Sequence, residues 1–84
     1  MSDESRKDRL IALAREIKPT FDGEIGLEDN LQSVMDMDSL DSMSFLLEIE
    51  VEFQVKLPEE IVKQEDLFVV GNLLRYIETE TSAH

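Results

Sequence analysis

The run Ser39 to Phe53 constrains this chain more than any other segment. Its apolar residues are Leu40, Met43, Phe45, Leu46, Leu47, Ile49, Val51 and Phe53, with acids set between them. At roughly 100° per residue, Phe45, Leu46, Ile49 and Phe53 share one side of a helix. Leu40, Met43, Leu47 and Val51 share another. Asp41, Ser44, Glu48 and Glu52 form a polar strip between the two. A small domain needs one buried stripe. The second stripe either packs under a loop or another helix, or stays open to meet a partner. The pattern leaves both readings open. Asp38 can cap this helix by accepting hydrogen bonds from its first-turn amides. Asp41 adds favourable charge there. Ser39 then stands at the head of the helix, beside two carboxylates.

The chain has 84 residues, which implies one domain spanning residues 1–84 and only modest stability. Hydrophobic residues make up 42%, enough for a small core and against full disorder. The net charge is −12. That balance repels nucleic acid and anionic membranes and attracts a basic partner surface. Without cysteine there is no disulfide, thiolate metal site or thiol chemistry from the protein itself. The lone histidine, His84, is terminal and poorly placed for acid–base work. No apolar run has the length of a membrane span. The start, Met1-Ser2-Asp3-Glu4-Ser5, lacks a signal-peptide core. A cytoplasmic monomer is expected.

Around the central helix the chain reads as all-α. Leu10, Leu13, Ala14 and Ile17 recur at helical spacing within a helix from about Asp3 to Lys18, with Asp3 and Glu4 suited to its start. Pro19 ends it. Residues 19 to 38 carry no clear period. Phe21, Ile25, Leu27, Leu31 and Val34 imply an ordered loop pinned to the core, with a helical turn near Glu28 to Leu31. Gly23 and Gly26 supply turns. Pro58 suits the first position of a short helix over Glu59 to Lys63. The last helix runs from about Leu67 to Thr79, with Val70, Leu73, Leu74 and Ile77 inward and Gly71 weakening it slightly. The expected fold is a small four-helix bundle with a long first loop and a short third helix.

The stretch Asp38-Ser39-Leu40-Asp41 followed by the apolar-acidic helix, Glu52-Phe53 and Leu57-Pro58 resembles the acyl carrier protein family. Leu73-Leu74-Arg75-Tyr76-Ile77 is similar to that family's final helix, and Glu28-Asp29-Asn30-Leu31 to the anchor of its first loop. The resemblance covers most of the chain. It implies a 4'-phosphopantetheine arm on Ser39, attached from coenzyme A by a phosphopantetheinyl transferase, with Asp38 and Leu40 flanking the attachment. It implies acyl or aminoacyl groups carried as thioesters on that arm to acyl-loading and acyl-processing enzymes. Fatty-acid, polyketide and related lipid or secondary-metabolite pathways all fit. It further implies a partner-facing surface of Asp41, Met43, Ser44, Leu47, Glu48 and Val51. The sequence departs from the family in three ways. Asp36 stands where a glycine is usual, Ser44 and Val51 stand where carboxylates often do, and the stretch from Pro58 to Tyr76 is longer than in the common fatty-acid carriers. A specialised carrier with its own enzymes fits the less acidic helix.

Read without the resemblance, Ser39 is an ordinary N-cap serine. A hydrolase using Ser39 lacks its histidine, since a serine nucleophile needs a base beside it. The chain is therefore read as a substrate of other enzymes and not itself an enzyme. Asp36, Asp38 and Asp41 cluster, yet the calcium-loop pattern fails, because Leu40 takes a ligand position and Leu47 the place of the closing glutamate. No dedicated metal site is expected. The competing reading is an acidic helical adaptor that binds a partner through Met43, Leu47 and Val51 with no cofactor; methionine suits adaptable contacts of that kind.

Overall fold

The computed structural model describes the backbone of residues 3–82 and the side chains of residues 5–81. The expectations for His84 and for the side chains of Asp3 and Glu4 lie outside the described residues. The order is α1 (Asp3–Ile17), α2 (Leu31–Val34), α3 (Ser39–Phe53), α4 (Glu59–Gln64) and α5 (Val70–Ser82). This is the all-α bundle that the periodicity implies, with its long first loop and its short helix before the last. One further turn of helix, α2, is set into the loop. Its start lies three residues beyond the beginning of the turn expected at Glu28, because Asn30 is the cap. Asn30 is extended, and its side chain accepts a hydrogen bond from the Ser33 amide.

The central helix buries Phe45, Ile49 and Phe53 against Leu10, Leu13 and Ala14 of α1 and Val70, Leu73 and Ile77 of α5. Two ion pairs show that α1 and α3 run in opposite directions. Arg9 Nε lies 2.8 Å from Glu52 Oε2, and Lys18 Nζ lies 3.1 Å from Asp41 Oδ2. α5 begins at Val70, not Leu67. Leu67 and Phe68 belong to the preceding turn and are still buried, and the Phe68 ring lies 6.4 Å from that of Phe45.

The long loop is ordered by backbone hydrogen bonds as well as by apolar contacts. Arg15 of α1 donates to the carbonyls of Phe21 and Gly23, each at 3.1 Å. Further on, the loop carbonyls of Leu27 and Asp29 accept from Gly71 and Val70, two of the otherwise unpaired amides at the start of α5. A side chain on Gly71 would bring its Cβ within 3.1 Å of the Leu27 carbonyl oxygen. Gly71 is thus a point of close approach, and the helix accepts its lower propensity for that reason. Leu27 itself is exposed; the loop holds on here through its backbone rather than through this side chain.

Among the described residues, three other than glycine take left-handed backbone angles, Asp36 (φ 52°), Gln54 (φ 56°) and Asp66 (φ 50°). Each follows a helix. The next residue donates its amide back to the helix, Met37 to Gln32, Val55 to Glu50 and Leu67 to Val62. Met37, Val55 and Leu67 are all buried. This is the reverse turn, with its apolar anchor, that usually uses glycine. An ordinary residue in this conformation costs about 1–2 kcal/mol; glycine avoids that cost but forfeits about 0.5–1 kcal/mol of the gain, because its greater backbone freedom favours the unfolded chain. Gln54→Gly is therefore expected to raise the unfolding free energy by about 0.5–1 kcal/mol in a urea titration. A loss of stability would show that the Gln54 side chain contributes more than its backbone costs.

Candidate functional site

The head of α3 is fixed by a reciprocal cap. Asp38 is extended, and its Oδ1 accepts from the Asp41 amide at 2.8 Å. The Asp41 carboxylate reaches back to the Asp38 amide at 3.5 Å. Asp38 thus caps the helix, as its position in the sequence allows, and the reading of Ser39 as an ordinary N-cap serine does not hold. Ser39 is the first residue inside the helix, exposed, and its hydroxyl makes no hydrogen bond among the described residues. Ser39 and Leu40 carry the first two amides of a 15-residue helix, which the helical ladder leaves without partners.

Charge around this serine is mostly negative, from Asp36, Asp38 and Asp41. Lys18 stands against it. The hydrogen bond from Lys18 holds the Asp41 carboxyl below its ordinary value, against the opposing effect of desolvation. The same bond raises the Lys18 ammonium. Asp41 is therefore occupied within the fold by both the cap and Lys18, which the sequence did not reveal. Asp36, in the position where the family usually has glycine, is the left-handed residue that turns the chain from α2 toward Ser39. The departure keeps the required backbone shape, since aspartate tolerates that region better than most residues. Among the described residues no group of three or more His, Cys, Asp or Glu is arranged to hold a metal ion.

The second apolar stripe of α3 is exposed. Leu40 is 73% accessible, Met43 60%, Leu47 55% and Val51 78%. Ser44 and Glu48 lie exposed beside it. Glu52, on the same polar strip, is tied to Arg9. Glu50 accepts from the Leu57 amide at 2.7 Å and so holds the turn that leads to α4.

An open groove of about 650 Å³ runs between α3 and α4. Ser39, Ser42 and Gln32 line it together with the apolar side chains of Met43, Leu46, Leu57, Val62 and Phe68. Gln32 reaches across from α2, and its amide donates to the Ser42 hydroxyl at 2.9 Å. The sequence reading missed both Gln32 and Ser42. Ser42 lies one turn beyond Ser39, so its place near the serine was legible. The reach of Gln32 is tertiary and had no local signal.

Residues 8–77 match the family model described as "phosphopantetheine attachment site". An acyl carrier protein of Prochlorococcus marinus (strain MIT 9515) is 26% identical over 80 residues, covering 95% of this chain and 98% of the relative. "Acyl carrier protein 3, mitochondrial" of Arabidopsis thaliana is 32% identical over 73 residues, covering 87% of this chain. The chain spans 54% of that relative's length. No solved structure matches. The chain belongs to the phosphopantetheine-binding acyl carrier protein family. It is a carrier and not an enzyme, and its prosthetic group is 4'-phosphopantetheine. As a carrier it works with a modifying transferase and with acyl-processing enzymes. Among the described residues no helix is long and apolar enough to cross a membrane.

Proposed function

We propose that Ser39 is the attachment residue, and that residues 1–84 act as one carrier domain delivering acyl or aminoacyl groups in fatty-acid, polyketide or related lipid and secondary-metabolite biosynthesis. The observation that supports this most is the hydroxyl of Ser39, exposed and without a hydrogen bond at the first position of α3 while Asp38 caps the helix. That hydroxyl is available as a substrate. A phosphodiester formed on it sits by the free amides and the positive end of a helix dipole, which favour an anion. The residues present fit the group. The arm's terminal thiol supplies thioester chemistry that a chain without cysteine lacks. Asp38 and Leu40 flank the attachment, the first by shaping the helix start and the second as an exposed apolar contact.

The partner surface in this reading is the stripe of Leu40, Met43, Leu47 and Val51 with Ser44, Glu48 and the partly committed Asp41. Partners present apolar groups to the stripe and basic groups to the acids around it. The family name does not fix the compartment, since one relative is named as mitochondrial. A cytoplasmic setting belongs to the proposal. The exposed stripe also suits a cofactor-free adaptor, and Ser39 separates the two readings.

Intact mass after incubation with coenzyme A, magnesium and a broad-specificity phosphopantetheinyl transferase is the test. The parent is expected to gain a single phosphopantetheine, and Ser39→Ala none, with its helical content unchanged. A folded parent that stays unmodified beside a known carrier modified in the same tube would favour the adaptor. Modification of Ser39→Ala would place the attachment elsewhere.

A further inference from the structure

The acidic strip of α3 is not equally open along its length. Asp41, Ser44, Glu48 and Glu52 follow at steps of three and four, so they share one face of the helix. α1 runs beside α3 in the opposite direction, and the two ends of the strip are met from it. Lys18, just past the end of α1, reaches Asp41 Oδ2 at 3.1 Å. Arg9 grips Glu52 with two donors, Nε at 2.8 Å and a terminal nitrogen at 3.0 Å. The hydrogen bond from Arg9 holds the Glu52 carboxyl below its ordinary value against the opposing effect of desolvation, as Lys18 does for Asp41. Between the two cations α1 supplies no third. Ala12 and Glu16 lie three and seven residues beyond Arg9, on its side of the helix, and both are exposed. Glu48 is left exposed and without an ion pair among the described residues. Two of the three acids on the strip are therefore already answered from within the fold. Exposed pairs of this kind add little to stability.

We propose that Arg9 and Lys18 are specificity-determining residues, which mask the two ends of the acidic strip so that a partner is selected through Glu48 and the apolar stripe. The proposal rests on the reading of α3 as the partner face of a carrier modified at Ser39. A partner with one basic group opposite Glu48 and apolar groups beside it docks without disturbing the fold. A partner with basic groups spaced along the whole strip must displace Lys18 and Arg9, and its cations meet theirs at close range. Specificity is a difference of affinities, and an obstacle to the wrong partner sets it as well as an attraction to the right one. A net charge of −12 attracts basic surfaces of every kind, so charge alone does not select among them. The masked ends narrow that attraction to the middle of the strip.

The test measures kcat/KM for modification of the full chain by a broad-specificity phosphopantetheinyl transferase, across a range of salt. Lys18→Met and Arg9→Met are each expected to raise it about threefold at low salt, the size of one exposed ion pair. The two sites are far apart, so the double variant should show about the product of the two factors. Lys7→Met is the control. It removes the same charge from the same helix and frees no acid, because Lys7 forms no ion pair among the described residues. Its effect should be much smaller. At high salt all variants should converge on the parent, because the unmasked acids are screened. Glu48→Gln should slow the parent about threefold and the double variant much less, since Asp41 and Glu52 are then open to the partner. Folded Lys18→Met and Arg9→Met proteins that react no faster than Lys7→Met would overturn the mask. So would a gain that persists at high salt, which would trace to a loosened α1 instead of charge. A parent that takes up no arm would instead overturn the carrier reading on which the mask depends.

Discussion

Phe45→Ala is expected to remove about 3–5 kcal/mol of stability, the usual cost of truncating a fully buried phenylalanine. Phe45 is completely inaccessible and faces Phe68 across 6.4 Å. It lies in the core to which α1, α3 and α5 each contribute. Alanine leaves a cavity that these helices can close only in part, because their positions are set by the rest of the shared core and by the loop bonds to α5. Against a total of about 0.05–0.15 kcal/mol per residue, such a loss is a large share of what a chain this short has. Urea unfolding should show a much lower midpoint, or no cooperative transition at all. A shift of less than about 1 kcal/mol would mean that the core is divided differently, with Ile49 and Leu73 able to repack around the gap.

Long periodic segments were legible in the sequence, and contacts made across the fold were not. α3 was readable because fifteen residues carry both its stripes and its acidic cap. α1 and α5 were readable through their inward residues, although α5 starts later than the apolar run implies, since Leu67 and Phe68 are buried from a turn. α2 has four residues, too few to show a period. Its only local signs were Asn30 before an apolar residue and Asp36 in the position of a glycine. Which stripe of α3 faced water could not be read, because both are apolar and regularly spaced. The loop, the α1 packing and the α5 packing decide it together. At the site, Ser39, Asp38 and Asp41 were legible from one turn of sequence. The Lys18 contact and the Gln32–Ser42 bond join residues 23 and 10 positions apart and exist only once the chain is folded.

Leu47→Asp should have the opposite signature to Phe45→Ala, although the two residues are neighbours on one helix. Leu47 is 55% exposed, and a substitution at such a site is expected to move the unfolding free energy by no more than about 0.5 kcal/mol. Its effect should fall on association. Leu47 is central in the stripe, between Leu40 and Met43 on the side of Ser39 and Val51 on the other. Central apolar anchors carry most of the binding energy in an interface, and rim positions carry little. An aspartate there removes the apolar contact and also places a carboxylate where a partner would have to desolvate it. The kcat/KM for modification of Ser39 by the transferase should fall at least tenfold, about 1.4 kcal/mol in transition-state stabilisation. Val51→Asp, toward the far end of the stripe, should do less. Added salt should slow the parent as well, because the attraction between the acidic carrier and a basic partner is screened. Loss of cooperative unfolding in Leu47→Asp would show that this residue belongs to the core and that the partner face lies elsewhere. An unchanged rate in a folded variant would move the docking surface off the stripe, toward the acids at the head of α3.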